Sequence, residues 1–205
     1  MSYLILVRHG ESEWNKVGVW TGLTDIPLSE KGIEESKLAG EKLKNFPIDI
    51  SYISSLKRSR QTLIEIKKII GKDFPTYENK ALDERDYGIY TGQNKWEIKK
   101  EIGEEQFQKL RRGWNTGIPK GETLEDVYDR VVPYYKTQIL SDLEIGKNVL
   151  VVAHGNSLRA LVKYLDNISN EDIEKLEIAT GEIYIYSIDE QGIIVSKEIK
   201  SAKSG

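Results

Sequence analysis

Leu4-Ile-Leu-Val-Arg-His-Gly10 and Val149-Leu-Val-Val-Ala-His-Gly155 are two apolar runs that each end in histidine and glycine, and together they contain both histidines of the chain. Short, nearly continuous apolar runs rich in β-branched residues are typical of strands buried on both faces of a parallel sheet. The carboxyl ends of such strands carry side chains and free backbone N–H groups to the edge where α/β proteins bind ligands. The two runs therefore predict adjacent central strands, with His9 and His154 in one site.

Other segments carry strand and hairpin patterns. A third strand is predicted over Asp49–Ser54, before the basic stretch that contains Arg58. Near the end of the chain, Ile183–Ile188 and Ile193–Val195 flank a turn-forming segment that ends in glycine, which predicts a hairpin at an edge of the sheet.

Helical patterns lie between these strands. Apolar residues recur at helical spacing after Ser29, over Leu63–Ile70 and over Leu158–Leu165, and Asn156 or Ser157 is the predicted cap of the last helix. Alternating strands and helices predict an α/β fold, a three-layer sandwich. Its central sheet is expected to be mostly parallel, with an antiparallel edge strand and helices on both faces.

The 205 residues are enough for one compact core, and we expect a single domain over 1–205. The polar segment at about 77–123, with a charged helical stretch over Trp96–Arg112, is predicted to be an insertion that overhangs the site. We expect a cytoplasmic protein with no membrane partner, because no apolar run is long enough to span a bilayer and no secretory signal precedes Val7.

Composition excludes several kinds of chemistry. The chain has no cysteine, which rules out disulfides and thiolate nucleophiles. A net charge of -3 argues against nucleic acid as a partner. Two histidines need a third ligand to hold a metal, and no His-x-Glu-x-His-like cluster accompanies them, so no metal is expected.

The residues that remain point to phosphoryl chemistry. A neutral imidazole such as His9 can accept a phosphoryl group when cations such as Arg8 and Arg58 hold its oxygens. His154 precedes a helix whose first N–H groups favour an anion, and its imidazole could donate a hydrogen bond to a phosphoryl oxygen. A lone histidine after a strand is, however, more often a structural residue. The reaction also needs a group that donates and accepts the substrate's proton, and Glu84 is a candidate. Because the chain has 33 acidic residues, composition alone does not select Glu84.

Longer motifs select among these options. Leu6-Val-Arg-His-Gly-Glu-Ser-Glu-Trp-Asn15 resembles the catalytic motif of the histidine phosphatase superfamily, and its extension to Thr21-Gly22 resembles the cofactor-dependent phosphoglycerate mutases within it. Later segments are similar to mutase motifs in the same order, and the resemblance runs from Leu4 to about Ile188. They are Leu56-Lys-Arg58, Leu82-Asp-Glu-Arg-Asp-Tyr-Gly88, Gly92-Gln-Asn-Lys95, Arg111-Arg-Gly113 and Val152-Ala-His-Gly-Asn-Ser-Leu-Arg-Ala-Leu-Val-Lys-Tyr-Leu165.

The resemblance implies a role for each matching residue. His9 would carry the phosphoryl group, Glu84 would be the general acid and base, and Arg8, Arg58 and His154 would complete the catalytic set. Substrate contacts are implied for Ser12, Asn15, Thr21, Gly22, Arg85, Tyr87, Lys95, Arg111, Arg112, Gly155 and Asn156. The implied reaction interconverts 2-phosphoglycerate and 3-phosphoglycerate, primed by 2,3-bisphosphoglycerate, in a monomer or a homodimer.

Two departures from that family affect how well the site would exclude water. The segment between Gly113 and Thr123 is shorter than in the long bacterial mutases, and the sequence ends with little of the tail that helps to cover the site in the family. We therefore expect some phosphatase side activity. A broad phosphomonoesterase, a non-catalytic phospho-ligand-binding module and, more remotely, a metal-dependent hydrolase stay open as alternatives.

Overall fold

The sheet of the protein is mixed and six-stranded within residues 1–201, the part of the chain that the computed structural model describes. Its spatial order is β3-β2-β4-β1-β5-β6. The first four strands are parallel to one another, β5 pairs antiparallel with β1, and β6 pairs antiparallel with β5. The strands are β1 (Ser2–Arg8), β2 (Ile50–Ile53), β3 (Thr76–Glu78), β4 (Val149–Ala153), β5 (Ile183–Ile188) and β6 (Ile194–Lys200). The predicted α/β class, with its antiparallel edge, is confirmed.

Helices cover both faces of this sheet. They are α1 (Glu13–Lys16), α2 (Glu30–Leu43), α3 (Lys57–Ile70), α4 (Lys95–Ile102), α5 (Glu104–Arg112), α6 (Leu124–Tyr134), α7 (Leu140–Glu144) and α8 (Gly155–Leu165). A π-helical stretch, Tyr135–Ile139, joins α6 to α7, and 3₁₀ turns lie at Lys80–Leu82, Gly88–Tyr90 and Asp172–Lys175.

The buried strands sort their side chains onto two cores. Leu4 and Leu6 of β1 face a core completed mainly by α6 and α8, whereas Ile5 and Val7 face a core completed by α2 and α3. This alternation follows from the period of two along a strand. Because both faces are covered, β1 and β4 are apolar at nearly every position, which is why their sequences predicted central strands.

The register of β1 and β4 places the two histidines side by side. Arg8 pairs with Ala153, so His9 and His154 are the next residues of neighbouring parallel strands. The helix predicted after Ser29 is α2, and Ser29 caps it, its side chain accepting from the N–H of Gly32. The cap predicted at Asn156 or Ser157 is wrong: α8 begins at Gly155 because the strand turns directly into the helix at His154.

The segment after β3 reaches the carboxyl end of β1, since its residues Glu84 and Lys95 line one pocket with His9. The helix predicted over Trp96–Arg112 is two helices, α4 and α5, because Gly103 between them adopts a φ of 82° that ends the first helix. Their apolar side chains pack with Trp20 and Tyr87 in a small core of their own. This packing carries Lys95 and the end of α5 to the site.

Candidate active site

His9 is buried and neutral, with one ring nitrogen available. Its Nδ1 lies 2.6 Å from the Gly10 carbonyl oxygen, and because a carbonyl only accepts, Nδ1 carries the proton and donates it there. The Nε2 lone pair is thereby left for an electrophile. Burial, followed by the charges of Arg58 and Arg8, holds the pKa of His9 well below its usual value. Such an imidazole is a nucleophile at neutral pH.

His154 lies against His9, with ring centroids 4.8 Å apart. The Nε–H of Arg58 donates to its Nδ1 at 3.2 Å, so its Nε2 carries the proton and donates to Ser54 Oγ at 2.6 Å. Burial lowers its pKa too, with Arg58 and His9 adding to the effect. Both ring nitrogens are engaged by protein groups, so the predicted bond from His154 to a phosphoryl oxygen requires one of these partners to be exchanged.

Cations line the pocket beside the histidines. Within residues 1–201 the pocket wall includes the predicted Arg8, Arg58, Lys95, Arg111 and Arg112. Arg58 is almost fully buried, and its guanidinium donates to the carbonyls of Gly22 and Thr24, both at 2.9 Å. Burial lowers the pKa of Arg58 to about 10 and that of Lys95, helped by Arg111, to about 8. Arg58 therefore stays charged at neutral pH, and Lys95 loses its charge in mildly alkaline solution.

Three buried donors of this wall have no hydrogen-bond partner anywhere in the described part of the chain. They are Arg8 Nε, Trp20 Nε1 and the Thr21 hydroxyl. Each unsatisfied buried polar group costs about 1–3 kcal/mol, and native proteins leave few of them. Their concentration in one cationic pocket indicates a ligand rich in anionic acceptor oxygens.

Glu84 supplies the carboxylate of the site and is held on one side only. Its Oε1 accepts from the Arg85 backbone N–H at 2.8 Å and from the backbone and side-chain nitrogens of Asn156, both at 3.1 Å. Asn156 also donates to the Tyr87 hydroxyl at 2.8 Å. No hydrogen bond from residues 1–201 reaches Oε2, which leaves that oxygen to exchange a proton with a ligand.

The structure brings most of the predicted contact residues together in the pocket wall, with two exceptions. The wall includes Asn15, Thr21, Gly22, Tyr87, Gly155 and Asn156 in addition to His9, Glu84 and the cations. His154 is fully buried beside His9 and does not itself line the pocket. Ser12 instead caps α1, where its hydroxyl accepts from the N–H of Asn15 at 3.2 Å. The guanidinium of Arg85 is fully buried and donates to three backbone carbonyls of the segment over the site, those of Leu110, Thr116 and Glu122.

In the structure Ser12 therefore holds Asn15 and Arg85 holds the backbone of Leu110, Thr116 and Glu122, while the ligand contact predicted for the two residues stays a prediction. Sequence reasoning missed four wall residues, Trp20, Arg159, Glu177 and Ile178, as well as Ser54 behind His154. The sequence could have indicated Arg159, because it lies one helical turn after Asn156. In the structure it donates to the Asn156 side chain at 2.9 Å.

The fold and the site define a class of α/β protein in which two neutral histidines, several guanidinium groups and a buried carboxylate, that of Glu84, meet at the carboxyl ends of parallel strands. The chain belongs to the histidine phosphatase superfamily (branch 1), whose family model matches residues 4–199. The family resemblance of the sequence motifs is thereby confirmed.

Curated relatives are similar over nearly the whole chain. A 2,3-bisphosphoglycerate-dependent phosphoglycerate mutase of Chelativorans sp. (strain BNC1) is 46% identical over 199 residues, covering 96% of this chain and 97% of the relative. A phosphoglycerate mutase of Schizosaccharomyces pombe is 44% identical over 199 residues, covering 96% and 94%. The solved structure of an alpha-ribazole phosphatase from Shigella flexneri superposes with a TM-score of 0.82 at 24% identity, covering 99% and 98%, and shows the fold alone.

Neither a metal centre nor a membrane span is found in residues 1–201. No three His, Asp or Glu side chains of that part of the chain gather as a metal would need. Its helices are all too short or too polar to cross a bilayer.

Proposed function

We propose that the protein is a 2,3-bisphosphoglycerate-dependent phosphoglycerate mutase, which interconverts 2-phosphoglycerate and 3-phosphoglycerate in glycolysis and gluconeogenesis in the cytoplasm. The observation that carries the proposal is one pocket that combines a free His9 Nε2 with more cations than a single phosphate needs. The names of relatives at 44–46% identity support the same activity. The substrates are small phosphoglycerates, and no metal takes part.

His9 accepts and returns the phosphoryl group. With Nδ1 tied to the Gly10 carbonyl, attack through Nε2 forms a phosphohistidine whose proton stays on Nδ1. Arg8 and Arg58 lie next to the reacting imidazole and stabilise the charge of the transferring oxygens. Bound 2,3-bisphosphoglycerate would supply the phosphoryl group that primes His9.

The other wall residues hold the glycerate. Lys95, Arg111 and Arg112 have the charge and donors for its carboxylate and second phosphate, and these three cations together with Arg8 would hold bisphosphoglycerate as well. Glu84 Oε2 takes the proton from the attacking glycerate hydroxyl and returns it to the leaving one. The helices over the site limit the access of water, which competes with that hydroxyl for the phosphohistidine.

A coupled assay tests the proposal. Conversion of 3-phosphoglycerate to 2-phosphoglycerate is followed with and without 2,3-bisphosphoglycerate, while free phosphate is measured in the same samples. We expect isomerisation that bisphosphoglycerate stimulates, with phosphate as a minor product, and no activity in the His9→Ala variant. Phosphate as the main product, with isomerisation absent or unstimulated, would support the phosphomonoesterase instead.

A further inference from the structure

Glu177 is, besides Glu84, an acidic residue in the wall of a pocket that is rich in cations. It lies between the 3₁₀ turn at Asp172–Lys175 and β5. Its Oε1 is 2.5 Å from Nη2 of Arg112 and 3.6 Å from Nη2 of Arg111. Those two guanidinium groups are the ones proposed above to hold an anionic group of the substrate, so Glu177 occupies donors that a ligand would use.

The backbone on either side of Glu177 holds Arg112, Arg159 and Arg8 without the Glu177 carboxylate. The Leu176 carbonyl accepts from Arg112 Nη1 at 3.2 Å and from Arg159 Nε at 3.0 Å, and the Ile178 carbonyl accepts from Arg8 Nη1 at 2.5 Å. Arg112 therefore keeps an acceptor if the carboxylate moves away.

The Glu177 side chain is mostly exposed. It is 61% exposed, and within residues 1–201 its carboxylate forms ion pairs with the two arginines. An exposed carboxylate is well solvated after it leaves an ion pair, so the cost of displacing it is modest. Arg112, by contrast, is only 12% exposed and stays at the wall.

We infer that Glu177 is a specificity-determining residue, a resident counter-ion for Arg111 and Arg112 that a ligand must displace with an anionic group of its own. The nature of that ligand rests on the proposed function. Burial and then repulsion from Arg112 lower the pKa of Arg111, and the Glu177 carboxylate offsets that repulsion. A doubly charged phosphate competes well for these donors, whereas a ligand without a second anionic group gains nothing from them.

The Glu177→Gln variant removes the charge and keeps the shape of the side chain. We expect it to bind 2,3-bisphosphoglycerate about three- to tenfold more tightly, because the variant lacks a partly exposed negative charge that repels the anionic ligand. Inorganic phosphate, which needs only the donors beside His9, should bind within about twofold of the unmodified protein. Titration calorimetry of both ligands at two salt concentrations measures this, and the gain for bisphosphoglycerate should shrink at the higher one.

Glu171→Gln is the matched control, because it removes the same charge from an exposed position outside the pocket wall. It should leave both affinities unchanged. Unchanged or weaker binding of bisphosphoglycerate by Glu177→Gln, or an equal gain for both ligands, would overturn the inference. The Glu177→Ala variant repeats the comparison and should give a gain of the same sign.

The outcomes separate this inference from the proposed function. With 3-phosphoglycerate, Glu177→Gln should lower KM without raising kcat, a split that a merely structural role would not produce. If the unmodified protein shows no mutase activity while Glu177→Gln still tightens the binding of bisphosphoglycerate, the proposed function fails and the inference stands. If the mutase activity is present and the affinity does not rise, only the inference fails.

Discussion

Replacing Glu84 by glutamine should nearly abolish turnover without unfolding the protein. The amide oxygen of glutamine can accept the hydrogen bonds that Oε1 now receives from Arg85 and Asn156. The group at the Oε2 position becomes an NH₂, which cannot take up a proton. General acid–base catalysis contributes a factor of about 10²–10⁴, or about 2.7–5.4 kcal/mol of barrier, and we expect kcat to fall by that factor.

The assay compares two phosphoryl donors. With 3-phosphoglycerate, KM should stay within about threefold, because the cations that bind the substrate are unchanged. With p-nitrophenyl phosphate, whose leaving group departs without a proton, the formation of phosphohistidine should fall far less. Glu101→Gln, at an exposed position of α4, is the control and should keep full activity. An equal loss with both donors, or retention of more than about a tenth of kcat with 3-phosphoglycerate, would refute the role of Glu84 as a proton carrier.

Three further predictions follow from burial, charge and close packing. Because the pKa values of His9 and His154 are lowered in the folded protein, the unfolded chain binds more protons than the folded one below about pH 6.5. As the pH falls below that value, the free energy of unfolding should decrease by up to about 1.4 kcal/mol per pH unit and per histidine. Urea titrations from pH 7 to 5 measure this decrease, and a flat profile would contradict the burial of neutral imidazoles. KM for 3-phosphoglycerate should rise as the pH passes about 8, because Lys95 loses its charge there. A Lys95→Arg variant, which stays charged, should not show that rise. The same rise in the variant would mean that another group causes it. Gly10→Ala should destabilise the fold by about 3 kcal/mol in urea unfolding, because the new Cβ would lie 2.1 Å from a backbone carbonyl oxygen of α2. Gly117→Ala is the control: its Cβ would meet nothing within 4 Å, and stability should change by less than about 0.5 kcal/mol.

The buried part of the fold was predictable because burial leaves a pattern in the sequence. Strands β1 and β4, covered on both faces, are apolar throughout, and the capping serine of α2 stands directly before its helix. Strand β3 escaped prediction, and β6 was predicted too short, because both are exposed edge strands whose side chains carry no apolar alternation.

The candidate site was predictable where motifs extend beyond single residues. His9, Arg58, Glu84 and His154 lie in such motifs, and the structure brings them together. Glu177 was missed because it reaches the pocket through an ion pair with Arg112 of α5, which is distant in the sequence. No motif next to Glu177 indicates a site. Arg85 was assigned a ligand contact from its motif alone, but only the fold shows its guanidinium turned to backbone carbonyls.

The central claim is that His9, and not the neighbouring His154, carries the phosphoryl group. The structure leaves Nε2 of His9 open, while both ring nitrogens of His154 are engaged by Arg58 and Ser54. Mass spectrometry of the protein after incubation with 2,3-bisphosphoglycerate and neutral quenching should find one acid-labile phosphate on His9, and none in the His9→Ala variant. A phosphate on His154, or no phosphohistidine in a protein that still interconverts the two phosphoglycerates, would contradict the account.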